Sequence, residues 1–322
     1  MQSSRKISED EIIVGGQAVI EGVLMRTPSA YAVAVRNPEG EIVVKKEREI
    51  SWIKKNKFMG LPVFRGFFVL AQALKLGIKA LNFSAEIALE EPEEKKKKSS
   101  NSRLSLIFSL IFSILLVVAI FVAIPYFLSS HILSKAYGIS HKNVISSRWF
   151  MFNVVDGGIR VLFFLGYIFV ISLMKDVRRV FEYHGAEHKV VNLWESGKEL
   201  TVQNAKEYSR FHPRCGTSFL IFVMLVSILV FTIFKIPVDP KNSLAYWGSK
   251  IFIRVLLLPL IAGISYEFIR LSAKYQKNKI FRLFIMPGLW LQKITTREPS
   301  EDQLEVSIKS LQEALEIENS NL

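Results

Sequence analysis

Four long runs of apolar residues dominate the chain and predict helices that cross a membrane. Residues 104–128 carry no charge over 25 positions, which is enough to cross a hydrocarbon core about 30 Å thick at about 1.5 Å per residue. Residues 216–234 are equally free of charge, whereas residues 154–174 and 251–271 each hold a few charged side chains. The pattern therefore predicts four transmembrane helices.

The charges inside two of these runs are expected to pair. Charged side chains are costly inside a membrane and usually face a partner or water. Asp156 and Arg160 are four positions apart and Glu267 and Arg270 are three apart, so each pair lies within one helical turn. Arg254 lies at a similar predicted depth to the first pair. We expect structural ion pairs, within helices or between the second and fourth spans, rather than a transport path.

The N-terminal part predicts a small β unit. Residues 30–49 alternate on both sides of "NPEG", which predicts a hairpin with Gly40 in a left-handed turn conformation. The preceding stretch "GGQAVIEGVLMR", residues 15–26, is apolar and strand-like. Its glycine pair, Gly15 and Gly16, allows a bulge or a close approach by another part of the chain.

The remaining segments predict amphipathic helices and a linker. Residues 58–90 have one apolar face and are expected to lie in the membrane interface, and residues 90–102 form a charged linker. Residues 281–294 predict a short interfacial helix broken near Pro287. A last amphipathic helix is predicted from the spacing of Leu304, Ile308, Leu311 and Leu315.

The fold class expected is therefore an α-helical integral membrane protein with about four transmembrane helices, a small N-terminal cytosolic β unit and amphipathic helices. The expected divisions are the β-hairpin unit (1–57), the amphipathic helix and linker (58–103), transmembrane helices 1–2 (104–174), a histidine-containing helical loop (175–215), transmembrane helices 3–4 (216–271) and the C-terminal interfacial and amphipathic helices (272–322).

Charge distribution predicts the orientation. The chain has a net charge of +13, and its Lys and Arg residues concentrate before the first span and in residues 175–215. Positive loops stay inside, so both termini and this loop are expected in the cytoplasm of a cell (plasma) membrane protein. The basic flanks suit anionic lipid headgroups. Nucleic acid or ribosome contact is the weaker interpretation, because no basic motif is interleaved with aromatic residues. The single cysteine, Cys215, excludes an internal disulfide.

The stretch "YHGAEHKVV" carries the candidate chemistry. His184 and His188 are four positions apart and therefore share one helical face, with Glu187 beside them. This is the inverted H-x-x-E-H pattern of zinc hydrolases, in which two imidazoles hold the metal and the carboxylate acts as general base. The pattern is short, and two histidines on a solvated helix are the simpler alternative. The sequence favours zinc or another divalent metal.

A third ligand is expected from the bend "HPRC". His212 and Cys215 lie close in sequence to each other and on the predicted cytoplasmic side. Glu195 and Glu267 are lower-ranked alternatives. A straight helix would carry His184 about 15 Å beyond residue 174 at 1.5 Å per residue, so the ligands meet only if this helix tilts along the membrane or the chain returns to it.

With these motifs in view, the chain resembles the YqhQ-like bacterial membrane proteins, the domain of unknown function 1385. The segments that carry the resemblance are "GGQAVIEGVLMR", "YHGAEHKVVNLWE" and "HPRCGTSF", and it spans residues 12–295. The resemblance implies a predicted metal-dependent enzyme but no substrate. It also draws attention to Gln17, Glu21 and Arg26 as second-tier site residues; Gln17 and Glu21 are expected to share a strand face.

Two functions from different classes follow. The first is a membrane hydrolase with a metal site at the cytosolic membrane surface, acting on a peptide or a lipid-linked substrate. The second is a non-catalytic scaffold or assembly factor that binds lipid headgroups or a partner membrane protein. Transport is a weak third possibility, because no pair of broken helices recurs.

Overall fold

The computed structural model describes residues 14–88, 101–138, 148–234, 243–275 and 278–320. Most of the predicted charged linker, 90–102, lies outside these ranges. The described chain is mostly helical with one antiparallel sheet. Its strands are β1 (Gly15–Val19), β2 (Gly22–Arg26), β3 (Ala30–Arg36) and β4 (Ile42–Arg48). Its helices are α1 (Trp52–Lys55), α2 (Phe64–Ala88), α3 (Asn101–Val118), α4 (Ile124–Tyr137), α5 (Trp149–Ile171), α6 (Lys175–Glu195), α7 (Val202–Lys206), α8 (Gly216–Ile233), α9 (Ser243–Lys274), α10 (Lys279–Thr295) and α11 (Glu301–Asn319).

The sheet is a four-stranded meander in the order β1-β2-β3-β4. The hairpin predicted at "NPEG" is confirmed, because Gly40 has a φ of +91° and joins β3 to β4. The prediction of one strand-like run over residues 15–26 is wrong. This stretch folds back on itself as a hairpin, with Glu21 in its turn at a φ of +50°. Gln17 and Glu21 therefore do not share a strand face.

Helices cover both faces of the sheet. Leu76 and Ala80 of α2 pack on one face against Leu24, Tyr31 and Val33. The other face packs against α6 and α11, so that strand β3 is buried along nearly its whole length. The leucines and isoleucine that predicted the last amphipathic helix are all buried in this second core. Helix α11 is therefore a structural layer of the sheet unit.

Five helices in the described part of the chain are long and apolar enough to cross a membrane: Phe64–Ala88, Ile111–Tyr137, Trp149–Ile171, Gly216–Ile233 and Phe252–Ser272. The prediction of four is wrong in number, and the additional helix is α2. The basic side chains of Arg65, Lys75 and Lys79 favoured a helix lying in the membrane interface. The helix is 25 residues long, however, and apolar residues separate these charges. Helix α2 packs along α9 at one end and on the sheet at the other.

Helix α10 also differs from its prediction. It runs unbroken from Lys279 to Thr295, with Pro287 inside it. Proline removes one backbone hydrogen bond from a helix interior, but the helix is supported along its length by packing against α8. Gly288 lies so close to α8 that an added Cβ would lie 2.6 Å from the Ser218 Cβ. This packing aims the end of α10 toward the start of α8.

The predicted pair of Asp156 and Arg160 is confirmed, with 2.8 Å between Arg160 Nε and Asp156 Oδ2. Arg160 also donates to the carbonyl of Phe121 at 2.7 Å, within the π-helical segment Ala119–Ala123 that joins α3 to α4. The wide turn of a π-helix exposes carbonyls, and the guanidinium satisfies one of them. The guanidinium of Arg254 lies 5.0 Å from the ring centre of Phe231.

The predicted pairing of Glu267 with Arg270 is wrong as the main contact. Glu267 instead accepts a hydrogen bond from Arg65 Nε at 2.5 Å and one from the backbone N–H of Val63 at 3.3 Å. Both partners lie at the start of α2. The carboxylate therefore ties α9 to α2.

Candidate metal and hydrolase site

A break between α5 and α6 places the histidine helix. Residue Met174 is extended, with a ψ of 133°, so α6 does not continue the axis of α5. Residues 201–212 predict a second helix in this loop, capped by Thr201 and stopped by Pro213. The observed helix α7 is shorter: Thr201 caps it as predicted, at 3.2 Å from the Asn204 N–H, but it ends at Lys206. Residues 207–215 then form turns and irregular chain that lies against α6.

This returning segment brings Cys215 to His184. The Lys206 carbonyl accepts a hydrogen bond from Lys189 Nζ at 3.0 Å, and the Arg210 carbonyl lies 2.7 Å from His188 Nδ1. Both contacts hold the segment against α6. The chain thus returns to the start of α8, as it must if His184 and Cys215 are to share one site.

Three potential ligands converge at this point. The ligand atoms of His184, His188 and Cys215 all lie within 4.8 Å of one another, and His184 Nε2 is 3.2 Å from the Cys215 Sγ. A divalent metal held by two imidazoles and one thiolate needs bonds of about 2.0–2.1 Å to nitrogen and about 2.3 Å to sulfur. Atoms this close can surround one ion after small side-chain adjustments.

Backbone carbonyls orient both imidazoles for this role. His184 Nδ1 lies 2.8 Å from the Thr295 carbonyl, and His188 Nδ1 lies 2.7 Å from the Arg210 carbonyl. A carbonyl only accepts, so each Nδ1 carries the proton and each Nε2 presents a lone pair to the site. Metal-binding histidines are commonly held in this way. Burial also lowers the pKa of His188 and keeps its ring neutral.

The Nε2 of His188 is buried without a hydrogen-bond partner. Buried polar atoms of side chains nearly always have one, and His188 is only 1% exposed. His188 belongs to the group of three residues whose ligand atoms lie within 4.8 Å of one another. The residues therefore fit a metal ion on an observation that is independent of the sequence motif.

His212 has the opposite arrangement. Its Nδ1 accepts a hydrogen bond from the Arg214 backbone N–H at 3.3 Å, and burial lowers its pKa, so a neutral ring carries its proton on Nε2. That nitrogen lies 3.4 Å from Glu195 Oε1 but, like His188 Nε2, it makes no hydrogen bond in the described chain. The choice of Cys215 over His212 as the third member rests on proximity, because the ligand atoms of His184, His188 and Cys215 all lie within 4.8 Å of one another.

Cys215 lies at the N-cap of α8. Its Sγ is 3.4 Å from the Thr217 backbone N–H and 3.0 Å from the Thr217 hydroxyl. The start of an 18-residue helix favours negative charge through its unpaired N–H groups and its dipole. The position suits a thiolate ligand.

Glu187 is held by the glycine pair of β1. Burial raises the pKa of Glu187, and the neighbouring Gly16 backbone N–H opposes that shift. A Cβ at Gly16 would lie 2.9 Å from Glu187 Cγ and 2.6 Å from the Leu24 carbonyl, whereas one at Gly15 would meet nothing within 4 Å. The predicted close approach therefore occurs at Gly16, and its partner is the proposed base.

The second-tier residues mostly join elements of the fold. Gln17 donates to the Ala73 carbonyl at 3.1 Å and links β1 to α2. Glu21 accepts from Arg179 at 2.6 Å, and Glu195 forms an ion pair with Arg214. Arg26 is partly buried, which lowers its pKa, while Glu49 opposes that shift. In the described part of the chain, neither Glu195 nor Glu267 belongs to the group of converging ligands.

A largely apolar groove of about 710 Å³ opens beside these residues. His184, Glu187 and Cys215 lie on its wall together with Arg214. The rest of its lining comes from β1, α2, the start of α6, the start of α8 and α9, and includes Ala18, Leu70, Leu74, Ile78, Phe219 and Tyr266. His184, Glu187 and Cys215 therefore lie beside a groove that can bind apolar parts of a ligand.

Sequence pattern identified the histidines, Glu187, Cys215 and Gly16 as candidate residues. It did not identify the carbonyls of Arg210 and Thr295, because every residue has a carbonyl and only the folded chain shows which one meets an imidazole. The contribution of Thr295 comes from the end of α10, more than 100 positions after His184.

Comparison with known proteins places the chain in a family. It matches the DUF1385 family, described as "Protein of unknown function", over residues 61–317. It is 34% identical over 312 residues to "Uncharacterized protein YqhQ" of Bacillus subtilis (strain 168), covering 94% of this chain and 92% of that protein. No solved structure matches. The match over most of its length shows that this chain belongs to the DUF1385 family.

Proposed function

We propose that the chain is a multi-pass protein of the cell membrane with both termini in the cytoplasm, and that it is a hydrolase dependent on zinc or another divalent metal. His184, His188 and Cys215 hold the ion and Glu187 is the general base. The observation that carries the proposal is the buried, unpaired Nε2 of His188, a residue whose ligand atom lies within 4.8 Å of two further ligand atoms.

A bound zinc ion supplies Lewis-acid chemistry, polarising the carbonyl of a substrate and acidifying a water molecule. The protein provides the rest. Glu187 takes one proton from water as the water oxygen bonds to the substrate carbonyl carbon, and it returns that proton to the leaving group as the bond to this carbon breaks. Burial raises the pKa of Glu187, which makes the carboxylate a stronger proton acceptor than an exposed glutamate.

Metal content tests the proposed site. We expect the full-length protein, purified in detergent without chelator, to carry about one equivalent of divalent metal by elemental analysis, and His188→Ala to lose it. His131→Ala is the matched control, since it removes a histidine from α4, away from the site. His212→Ala separates the two candidate third ligands and should keep the metal, whereas Cys215→Ala should lose most of it. Absence of metal from the wild-type protein would refute the proposal.

The catalytic part is tested by Glu187→Gln. This substitution keeps the side-chain volume and removes the base, so the metal should stay while cellular function is lost in a complementation assay. Normal complementation by Glu187→Gln and by His188→Ala would favour a non-catalytic scaffold.

One observation favours that scaffold alternative. Lys54 and Lys55 are exposed at the end of α1, just before α2, where they suit anionic headgroups or a partner membrane protein. Substituting both with glutamine should weaken binding to vesicles with anionic lipids if headgroup contact matters. Unchanged binding would remove this support.

A further inference from the structure

Strand β1 is one of the two edge strands of the sheet in the described chain. It pairs with β2 from Gly15↔Arg26 to Val19↔Gly22, around a two-residue turn. In an antiparallel hairpin of this kind, alternate residues exchange backbone hydrogen bonds with the partner strand, starting from the pair that closes the turn. Gly16 and Ala18 therefore direct their N–H and C=O groups away from β2.

Glu187 lies against this strand, since a Cβ added at Gly16 would be 2.9 Å from its Cγ. In the described residues, neither the Gly16 carbonyl nor the N–H and C=O of Ala18 takes part in a backbone hydrogen bond outside the β1–β2 ladder. These three groups remain available at the edge.

The same edge forms one wall of the groove. Residues Gly16 to Val19 all line it, opposite apolar side chains of α2 such as Leu74 and Ile78. Unpaired backbone groups are costly next to apolar surroundings, and an exposed strand edge is a template for another strand. A ligand in this groove can pair with the outward backbone groups of Gly16 and Ala18 only if its hydrogen-bond donors and acceptors have the spacing of a β-strand.

We propose that the occupant is an extended polypeptide segment that adds to β1 as a further strand, and that a peptide is the substrate class of the hydrolase. An acyl chain matches the apolar wall but offers nothing to the backbone of Ala18. A peptide strand matches both, as in other cases of strand addition. This inference rests on the proposed function for its chemistry, but the binding mode stands on the strand edge alone.

The geometry also delivers the peptide to the site. Because Gly16 lies directly against Glu187, a strand paired along β1 passes the carboxylate within a residue or two. There the amide C–N bond breaks, the water oxygen bonds to the carbonyl carbon, and Glu187 passes the water proton to the departing nitrogen. The products are a carboxylate and an amine.

A pair of peptides tests the binding mode on the full-length protein in detergent. The probe is a fluorescein-labelled nine-residue peptide of alternating valine and threonine, and its twin has every backbone amide N-methylated. We expect fluorescence anisotropy to show binding of the first peptide and at least about tenfold weaker binding of the twin, because two or three backbone hydrogen bonds are lost. Equal binding of both peptides, or binding of neither, would overturn the inference.

Variants of Ala18 test the location. Ala18→Pro removes the outward N–H without breaking the β1–β2 ladder, because proline is tolerated where the N–H of an edge strand faces outward; Ala18→Gly keeps the N–H. Peptide binding should fall about tenfold in the first variant and stay within about threefold in the second. If Ala18→Pro does not fold, the comparison of the two peptides on the wild-type protein still tests whether binding depends on backbone hydrogen bonds.

Metal content measured on the same samples separates the two proposals. Peptide binding by a protein without metal would refute the hydrolase but keep the strand-addition site. Metal without any preference between the peptides would keep the hydrolase and overturn the peptide as its substrate.

Discussion

Two adjacent glycines allow a sharp test of how the proposed base is positioned. Gly16 and Gly15 both lie in β1, one residue apart, and replacing each with alanine adds one methyl group. At position 16 the new Cβ would lie 2.6 Å from the Leu24 carbonyl and 2.9 and 3.0 Å from Glu187 Cγ and Cδ. At position 15 it would meet nothing within 4 Å.

The expected magnitudes follow from these contacts. Overpacking of a well-packed site costs about 1–3 kcal/mol, and a backbone carbonyl is less able to move than the end of a flexible side chain. Gly16→Ala should therefore lower the free energy of unfolding by about 1–3 kcal/mol and displace the Glu187 carboxylate. Gly15→Ala, as a substitution in open space, should stay within about 0.5 kcal/mol of the wild type.

Thermal unfolding in detergent measures the difference. Each kcal/mol corresponds to about 2–4 °C for domains of 150–250 residues, so Gly16→Ala should unfold several degrees below Gly15→Ala. Its metal content should be unchanged, since the glycine contacts the base and none of the three ligands. Equal unfolding temperatures for the two variants, or a joint loss of metal, would refute this account of the glycine pair.

Two further predictions concern charge. Arg160→Leu leaves the Asp156 carboxylate buried without its partner and should lower the free energy of unfolding by about 3–5 kcal/mol. Replacing both residues with leucine should recover most of that loss. Thermal unfolding of the two variants checks this, and equal losses of stability would contradict it. Hydrogen bonds from Lys309 and then Lys46 lower the pKa of Glu313 to about 2, so its contribution to stability is present above its ordinary pKa of 4.5 and disappears as the pH falls toward 2. The difference in unfolding temperature between wild type and Lys309→Met should therefore shrink across that range, and a constant difference would contradict the assignment.

Local pattern was sufficient for much of the fold. The apolar runs predicted four of the five helices long enough to cross a membrane, and Gly40 and Thr201 marked a turn and a helix cap because their conformations depend on near neighbours. Pattern failed where the environment decides. Residues 15–26 fold as a hairpin because Glu21 adopts a positive φ, which sequence rarely signals for a non-glycine residue.

The same distinction applies to the site. The spacing of His184 and His188 predicts one shared helical face regardless of the rest of the chain. Whether His212 or Cys215 meets that face depends on where α7 ends, and the sequence overestimated the length of this helix. The role of the Thr295 carbonyl depends on the packing of α10 against α8, which no local pattern shows.

X-ray absorption at the metal edge of the purified full-length protein tests the central claim most directly. We predict one sulfur neighbour at about 2.3 Å and two imidazole nitrogens at about 2.0–2.1 Å, from Cys215, His184 and His188. The sulfur contribution should vanish in Cys215→Ser. A metal surrounded only by oxygen and nitrogen in the wild type, or a protein without bound metal, would contradict the account.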